Sequence, residues 1–244
     1  LILVPKFFRW PDQGLAFDTI LHLGTLVALL WFFRTDILGL LKGSMDRIRE
    51  VQTRSRRVIA QVLVASIPSL LIGYFLHDIL VRYDRVAWLV ALDLAVWALV
   101  LGWADRRAAQ GGSAESGFDA ISWRQAIIIG CAQVLALLPG TSRSGMTITA
   151  GLFTGLSRAE AARFSFFLAI PVTAAAGGYG LLQWLTTPGA GESGWALLVG
   201  FVMAAISGAW AIRFLLRFVS QRSYVPFVLY RLALAVVVLL VLVR

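Results

Sequence analysis

Charge is scarce in this sequence: Asp, Glu, Lys and Arg make up 14% of its 244 residues, against about 25% in an average soluble domain. That is too little to coat a water-soluble globule of this length, and it excludes a disordered chain and a coiled coil. A single cysteine, Cys131, leaves no partner for an internal disulfide, so a secreted disulfide scaffold is excluded as well. Histidine occurs only at His22 and His77. What is plentiful is apolar: 59% of the residues, with a mean hydropathy of +0.80. The net charge of +9 would suit nucleic acid if the basic residues lined a soluble face. They lie between apolar runs instead, so nucleic acid is excluded as a partner and the chain reads as an integral membrane protein.

A helix crosses the hydrocarbon core of a bilayer with about 20 mostly apolar residues. Six stretches qualify or nearly do: Phe17–Phe33, Val58–Leu76, Val86–Ala104, Phe164–Leu185, Trp195–Leu216 and Tyr224–Val243. Six tryptophans (Trp31, Trp88, Trp103, Trp123, Trp184 and Trp195) fall near their ends or near those of shorter runs, as interfacial anchoring predicts. Two apolar runs, Ala126–Leu138 and Met146–Leu156, are too short to span, and Pro139-Gly140-Thr141-Ser142-Arg143-Ser144-Gly145 lies between them.

Lys and Arg collect in cytoplasmic loops, so their distribution tests whether this short pair crosses once or enters and returns. If it returns, 15 basic residues lie inside, five outside and two, Arg143 and Arg231, at depth. If it crosses, the split falls to 11 against 9. The re-entrant reading is favoured, with both ends of this chain on the outer side of the bacterial cytoplasmic (inner) membrane. The expected fold is an all-α polytopic membrane protein of about six transmembrane helices plus a re-entrant helical hairpin over about 126–156, in one integral membrane domain over residues 1–244. Ala108–Gly117 reads as a flexible loop.

Non-helical backbone at membrane depth is tolerated where protein buries it or it lines a cavity. Arg143 within that break needs an anionic partner, and no carboxylate lies between Asp119 and Glu160. Gly140 and Gly145 permit a sharp turn and close main-chain approach, while Thr141, Ser142 and Ser144 supply hydroxyl groups. The half-helix beginning near Met146 points its positive end at the loop, and the guanidinium fork of Arg143 suits two phosphate oxygens. The pattern predicts a phosphate cradle inside a bilayer, hence an amphiphilic lipid phosphate as ligand. The plainer alternative is a helix break held by neighbouring helices, with Arg143 snorkelling or ion-paired. The type-2 phosphatidate phosphatase pattern, Ser-Arg followed six residues later by His, fails because Thr149 stands at that position.

Other polar residues at depth are lower-grade candidates. Asp18 and His22 share a helix face, as a structural pair or in a catalytic or metal role. Gln133 lies on the half-helix entering the loop, where it could bond a facing hairpin. Asp93 sits mid-span, either paired or facing water, with Arg231 as a candidate partner, and His77 and Asp78 look interfacial.

The run Gly130–Gly145 (G-C-A-Q-V-L-A-L-L-P-G-T-S-R-S-G) closely resembles the second signature of the bacterial undecaprenyl-diphosphate phosphatases, the bacitracin-resistance proteins. Phe17–Gly24, Ala65–Pro68, Phe164–Pro171 and Val225–Arg231 are similar to other stretches of that family. The resemblance implies hydrolysis of undecaprenyl diphosphate to undecaprenyl phosphate and inorganic phosphate, recycling the carrier for peptidoglycan synthesis and conferring bacitracin resistance. It implies Arg143 and Ser142 as catalytic residues, Ser142 as a donor rather than the nucleophile. Gly140, Thr141, Ser144 and Gly145 would bind the phosphate. It also implies an inverted-repeat architecture and a divalent cation, Mg or Ca. The partners expected are a polyprenyl diphosphate lipid and the bilayer, with a homodimer open as the assembly. A polyprenyl-phosphate transporter or flippase is the alternative activity.

Family members carry a first signature, with two glutamates four apart, a Ser/Ser/Thr cluster and a His, directly before the L-I-L-V-P at which this sequence starts. The first hairpin and the expected metal-binding carboxylates would therefore precede Leu1, and the 244 residues alone are expected to be inactive. Phosphate release by the purified chain, with and without a restored first signature, tests this; equal turnover in both would refute it.

Overall fold

The computed structural model describes residues 14–76, 87–110, 117, 120–186 and 194–242. All nine regular elements among them are helices: α1 (Gly14–Phe32), α2 (Arg34–Ser44), α3 (Arg49–Phe75), α4 (Ala87–Gln110), α5 (Trp123–Leu135), α6 (Arg143–Phe153), α7 (Arg158–Thr186), α8 (Gly194–Val219) and α9 (Val225–Leu242). At 1.5 Å per residue, α3, α4, α7 and α8, with 27, 24, 29 and 26 residues, exceed the thickness of a hydrocarbon core. All four are apolar enough to cross one. The 19 and 18 residues of α1 and α9 make about 28 and 27 Å. α1 reaches crossing length and hydropathy together with α2 as one bent pair, and α9 is a shorter apolar helix. A helix therefore stands at each of the six expected spans, and four, or five with the bent pair, are long and apolar enough to cross. They differ from the sequence reading at their ends. The third helix begins at Arg49 rather than Val58, and the fourth runs to Gln110, through Ala108–Gln110 of the expected loop. Hydropathy marks where lipid ends, whereas a helix stops where its hydrogen bonds do. His77, Asp78 and the rest of that loop up to Ser116 lie outside the described residues.

α5 and α6, with 13 and 11 residues, are each too short to cross. Ser122 caps α5 through a reciprocal capping box with Gln125. The free amide of Gln125 donates Nε2–H to Thr154 O at 3.1 Å, joining the first turn of α5 to the end of α6. The pair therefore enters and leaves through the same face. α6 ends in a Schellman turn: Gly155 sits at φ +90°, with Leu156 N bonded to Gly151 O and Gly155 N to Leu152 O, both at 3.1 Å. Ser157 and Glu160 then start α7 reciprocally, Glu160 Oε2 accepting from Ser157 N and Ser157 Oγ from Glu160 N.

The hairpin is held by three spans: α5 packs on α3, and α6 packs on α4 and α7. α9 lies against α4, while α1 packs on α7 and α8. The polar ties run along one end of the bundle. Asp105, buried at the end of α4, accepts from Arg158 Nε on α7 and from the main-chain N–H of Tyr224, which precedes α9. Arg163 on α7 bonds Asp36 on α2.

Lipid gives helices no hydrophobic reason to associate, so close main-chain approach does that work. At Gly130 a Cβ would stand 2.3 Å from Ala65 O on α3, and its three nearest atoms all belong to the Ala65 main chain. Gly130→Ala must therefore push α5 off α3, at a cost of about 1–3 kcal/mol, read as a lower unfolding midpoint in detergent. Gly39 on α2, with no atom within 4 Å of its added Cβ, is the matched control: Gly39→Ala should leave the midpoint unchanged or slightly raised.

Candidate functional site

The six residues Gly140 to Gly145 lie at the tip of the hairpin, and the sequence explains how the tip forms. α5 tightens as it ends: Ala136, Leu137 and Leu138 donate to Gln133, Val134 and Leu135 at 3.0, 3.1 and 3.2 Å, three residues back rather than four. Pro139 cannot continue the ladder, and Gly140 turns the chain at φ +92°. The turn is pressed against α4, where a Cβ on Gly140 would meet Val90 O at 2.5 Å.

Ser142 follows at φ 69°, ψ 112°, the one non-glycine residue at positive φ among those described. Such a conformation is costly for an L-residue and persists where its surroundings over-determine it. Here Ser142 Oγ caps α6 by accepting from Gly145 N at 3.3 Å, and Ser142 O accepts from Met146 N at 2.9 Å. The cap leaves the Arg143 and Ser144 main-chain N–H groups, at the positive end of α6, without acceptors among the described residues. Arg143 itself is half-buried, and its guanidinium bonds no described residue. A strong fork donor, two free N–H groups and the hydroxyl of Ser144 thus share one helix N-terminus, the arrangement that takes a phosphate. Beyond that first turn α6 is buried from Met146 to Leu152. Its hydroxyls are satisfied internally: Thr149 Oγ1 donates to Gly145 O at 2.6 Å, and Thr147 Oγ1 pairs with Ser165 Oγ of α7 at 2.6 Å.

The opposite side of the loop is held from α9. Arg231, 8% exposed, donates Nη2–H to Gly140 O at 3.1 Å and to Thr141 O at 2.9 Å. A Cβ at position 145 would fall 2.6 Å from Arg231 Nη1, so Gly145, the second glycine of the turn, makes room for this guanidinium. The sequence offers Arg231 as one candidate partner for Asp93. The two do attract electrostatically, but the arginine spends its hydrogen bonds on the loop carbonyls and makes no direct ion pair with the carboxylate. Asp93 lies beside Thr141, and Asp93 Oδ2, Thr141 Oγ1 and Arg231 Nε are buried without hydrogen-bond partners. An arginine inside an apolar span signals a buried partner; that the partner is main chain some ninety residues earlier has no sequence signature.

The lower-grade residues lie apart from the loop's contacts. Gln133 donates Nε2–H to Ser69 Oγ on α3 at 2.6 Å, and its Oε1 is buried and unpartnered. His22 Nδ1 bonds the main-chain oxygen of Asp18 at 2.7 Å, not its carboxylate. For the divalent cation, no three His, Cys, Asp or Glu side chains come together among the described residues. Asp93, the carboxylate beside the loop, faces the charge of Arg231. An ion of this kind takes about six or more oxygen ligands, so the described residues do not fit it.

The model of the bacitracin resistance protein BacA family matches residues 1–237. An undecaprenyl-diphosphatase of Moorella thermoacetica is 40% identical over 241 residues, covering 99% of this chain and 88% of the relative. Undecaprenyl-diphosphatase 2 of Stutzerimonas stutzeri is 39% identical over 244 residues, 98% of this chain and 88% of the relative. An undecaprenyl-diphosphatase of Chromohalobacter salexigens is 38% identical over 240 residues, 98% and 89% respectively.

The anchor is directly testable. Hydrogen bonds from a charged donor contribute about 1.5–3 kcal/mol, so Arg231→Gln should speed amide exchange of residues 140 to 142 by about tenfold or more. Unchanged exchange would remove Arg231 from the loop's support.

Proposed function

The chain belongs to the bacitracin resistance protein BacA family, and from that premise we infer that it hydrolyses undecaprenyl diphosphate to undecaprenyl phosphate and inorganic phosphate. The names of its relatives favour this reading over transport of the same lipid. The observation that carries it to particular residues is the guanidinium of Arg143 at the N-terminus of α6, which bonds none of the described residues, in a bilayer-embedded turn where a cation without an anion is costly.

Arg143 grips two oxygens of the terminal phosphate, and the Arg143 and Ser144 N–H groups hold the third region of negative charge. As an oxygen nucleophile attacks the terminal phosphorus, the bond to the bridging oxygen breaks, and that oxygen leaves with the lipid monophosphate. Where the nucleophile is water, the terminal group departs at once as inorganic phosphate; where it is a hydroxyl, a water then attacks the same phosphorus, restores the hydroxyl and releases inorganic phosphate. Charge on the transferring group is met by donors already in place, the main source of catalysis in phosphoryl transfer. Ser142 shapes the turn and caps α6, a donor and positioning role, while Gly140, Thr141 and Gly145 give the main chain its path. The apolar tail stays among the helices. In the cell the site belongs in the bacterial inner membrane, with the Arg34–Arg57 and Asp105–Arg124 segments in the cytoplasm, as the distribution of Lys and Arg favours.

Arg143→Lys keeps the charge and loses the fork. In a phosphate-release assay of the detergent-solubilised protein, it should lower kcat/KM by about a hundredfold. A near-wild-type rate would exclude the bidentate clamp. Hydrolysis needs no second compartment, so release in detergent also separates a phosphatase from a transporter.

A further inference from the structure

The tip of the hairpin gathers two guanidinium groups, and the elements around it carry little to balance them. α5, α6 and α9 have no carboxylate. On α4 there are two, Asp93 and Asp105. Asp105 is committed to Arg158 and to the Tyr224 main chain, and it lies about 18 Å along the helix from Asp93.

Packing places Asp93 at the tip. Val90 and Leu94 of α4 form a buried cluster with Ala235 of α9, and the Val90 main chain also presses on Gly140. Asp93, on the face of α4 that carries Val90, stands beside Thr141. Arg231, one turn before Ala235, lies on the matching face of α9 and attracts the carboxylate. Its guanidinium stands against Gly145 in the first turn of α6, the turn that also carries Arg143. Asp93 Oδ2, Thr141 Oγ1 and Arg231 Nε are buried without hydrogen-bond partners. Among these atoms Asp93 acts through its charge rather than through a bond.

We propose that Asp93 sets the anion affinity of the hairpin tip: its carboxylate offsets Arg231, so that Arg143 supplies the net positive charge met by a phosphate. This rests on the phosphate-binding reading of the tip given above. A charge that pulls alike on substrate, transition state and product does not accelerate the chemical step. It slows the departure of inorganic phosphate instead, and release of product limits many enzymes. Asp93 removes that unselective pull and leaves the directional donors, the Arg143 fork and the first N–H groups of α6, in place.

Binding of inorganic phosphate to the detergent-solubilised chain, followed by phosphorus NMR line broadening, tests this through the sign of the effect. Asp93→Asn should bind phosphate at least about fivefold more tightly than the wild-type chain. A carboxylate that only braced the loop would give the reverse, because a loosened turn binds more weakly. Asp93→Glu keeps the charge, and the half-buried position admits the longer side chain, so its affinity should stay within about twofold of wild type. Asp93→Ser repeats the loss of charge with a smaller side chain, in case the amide disturbs folding. Glu50→Gln removes one charge at the exposed start of α3, remote from the tip, and should change nothing. Unchanged or weaker binding in the folded Asp93→Asn or Asp93→Ser chain overturns the proposal. So does an equal tightening in Glu50→Gln, which would reduce the effect to net charge. Arg143→Gln tests the underlying reading and should abolish the binding. Binding that survives it removes the tip as the phosphate site and the proposal with it, whereas binding that needs Arg143 but ignores Asp93 overturns the proposal alone.

Discussion

A main-chain carbonyl cannot be left bare inside a bilayer, and the hairpin tip breaks the helical ladder where that requirement is strictest. The structure answers with one side chain. Arg231 reaches from α9 to the carbonyls of Gly140 and Thr141, turning a break in two half-helices into a fixed turn. The two arginines of this region differ in what they bond: Arg231 satisfies the protein's own carbonyl oxygens, while the Arg143 guanidinium bonds none of the described residues.

The rest of the fold keeps this turn in register. Each side of the hairpin has its own support, α3 against α5 and α4 with α7 against α6. The close approaches at Gly130 and Gly140 are to main chain, so these contacts cannot relax by moving a side chain. At the far end of α4, Asp105 joins α7 to the start of α9. That tie sets the depth at which α9 presents Arg231.

The helices at the six long apolar runs and the hairpin were legible because each is written in local composition: long apolar runs, or two short ones parted by Pro139 and Gly140. The extra turns of α3 before Val58 were not, since charged residues outside the bilayer carry no hydropathy signal. Arg143 stood out as a cation among apolar residues with no nearby carboxylate. Arg231 stood out for the same reason, yet its task was hidden. An arginine's partner can be predicted from charge when it is Asp93, but not when it is a carbonyl exposed by a turn elsewhere in the chain. The strain at Ser142 was likewise invisible, because positive φ belongs by preference to the neighbouring glycines.

The bond between Gln125 and Thr154 bears on more than hairpin stability. Because it joins the two ends of the hairpin, α5 and α6 cannot part at their base, and a displacement of either helix is carried to the turn between them as one body.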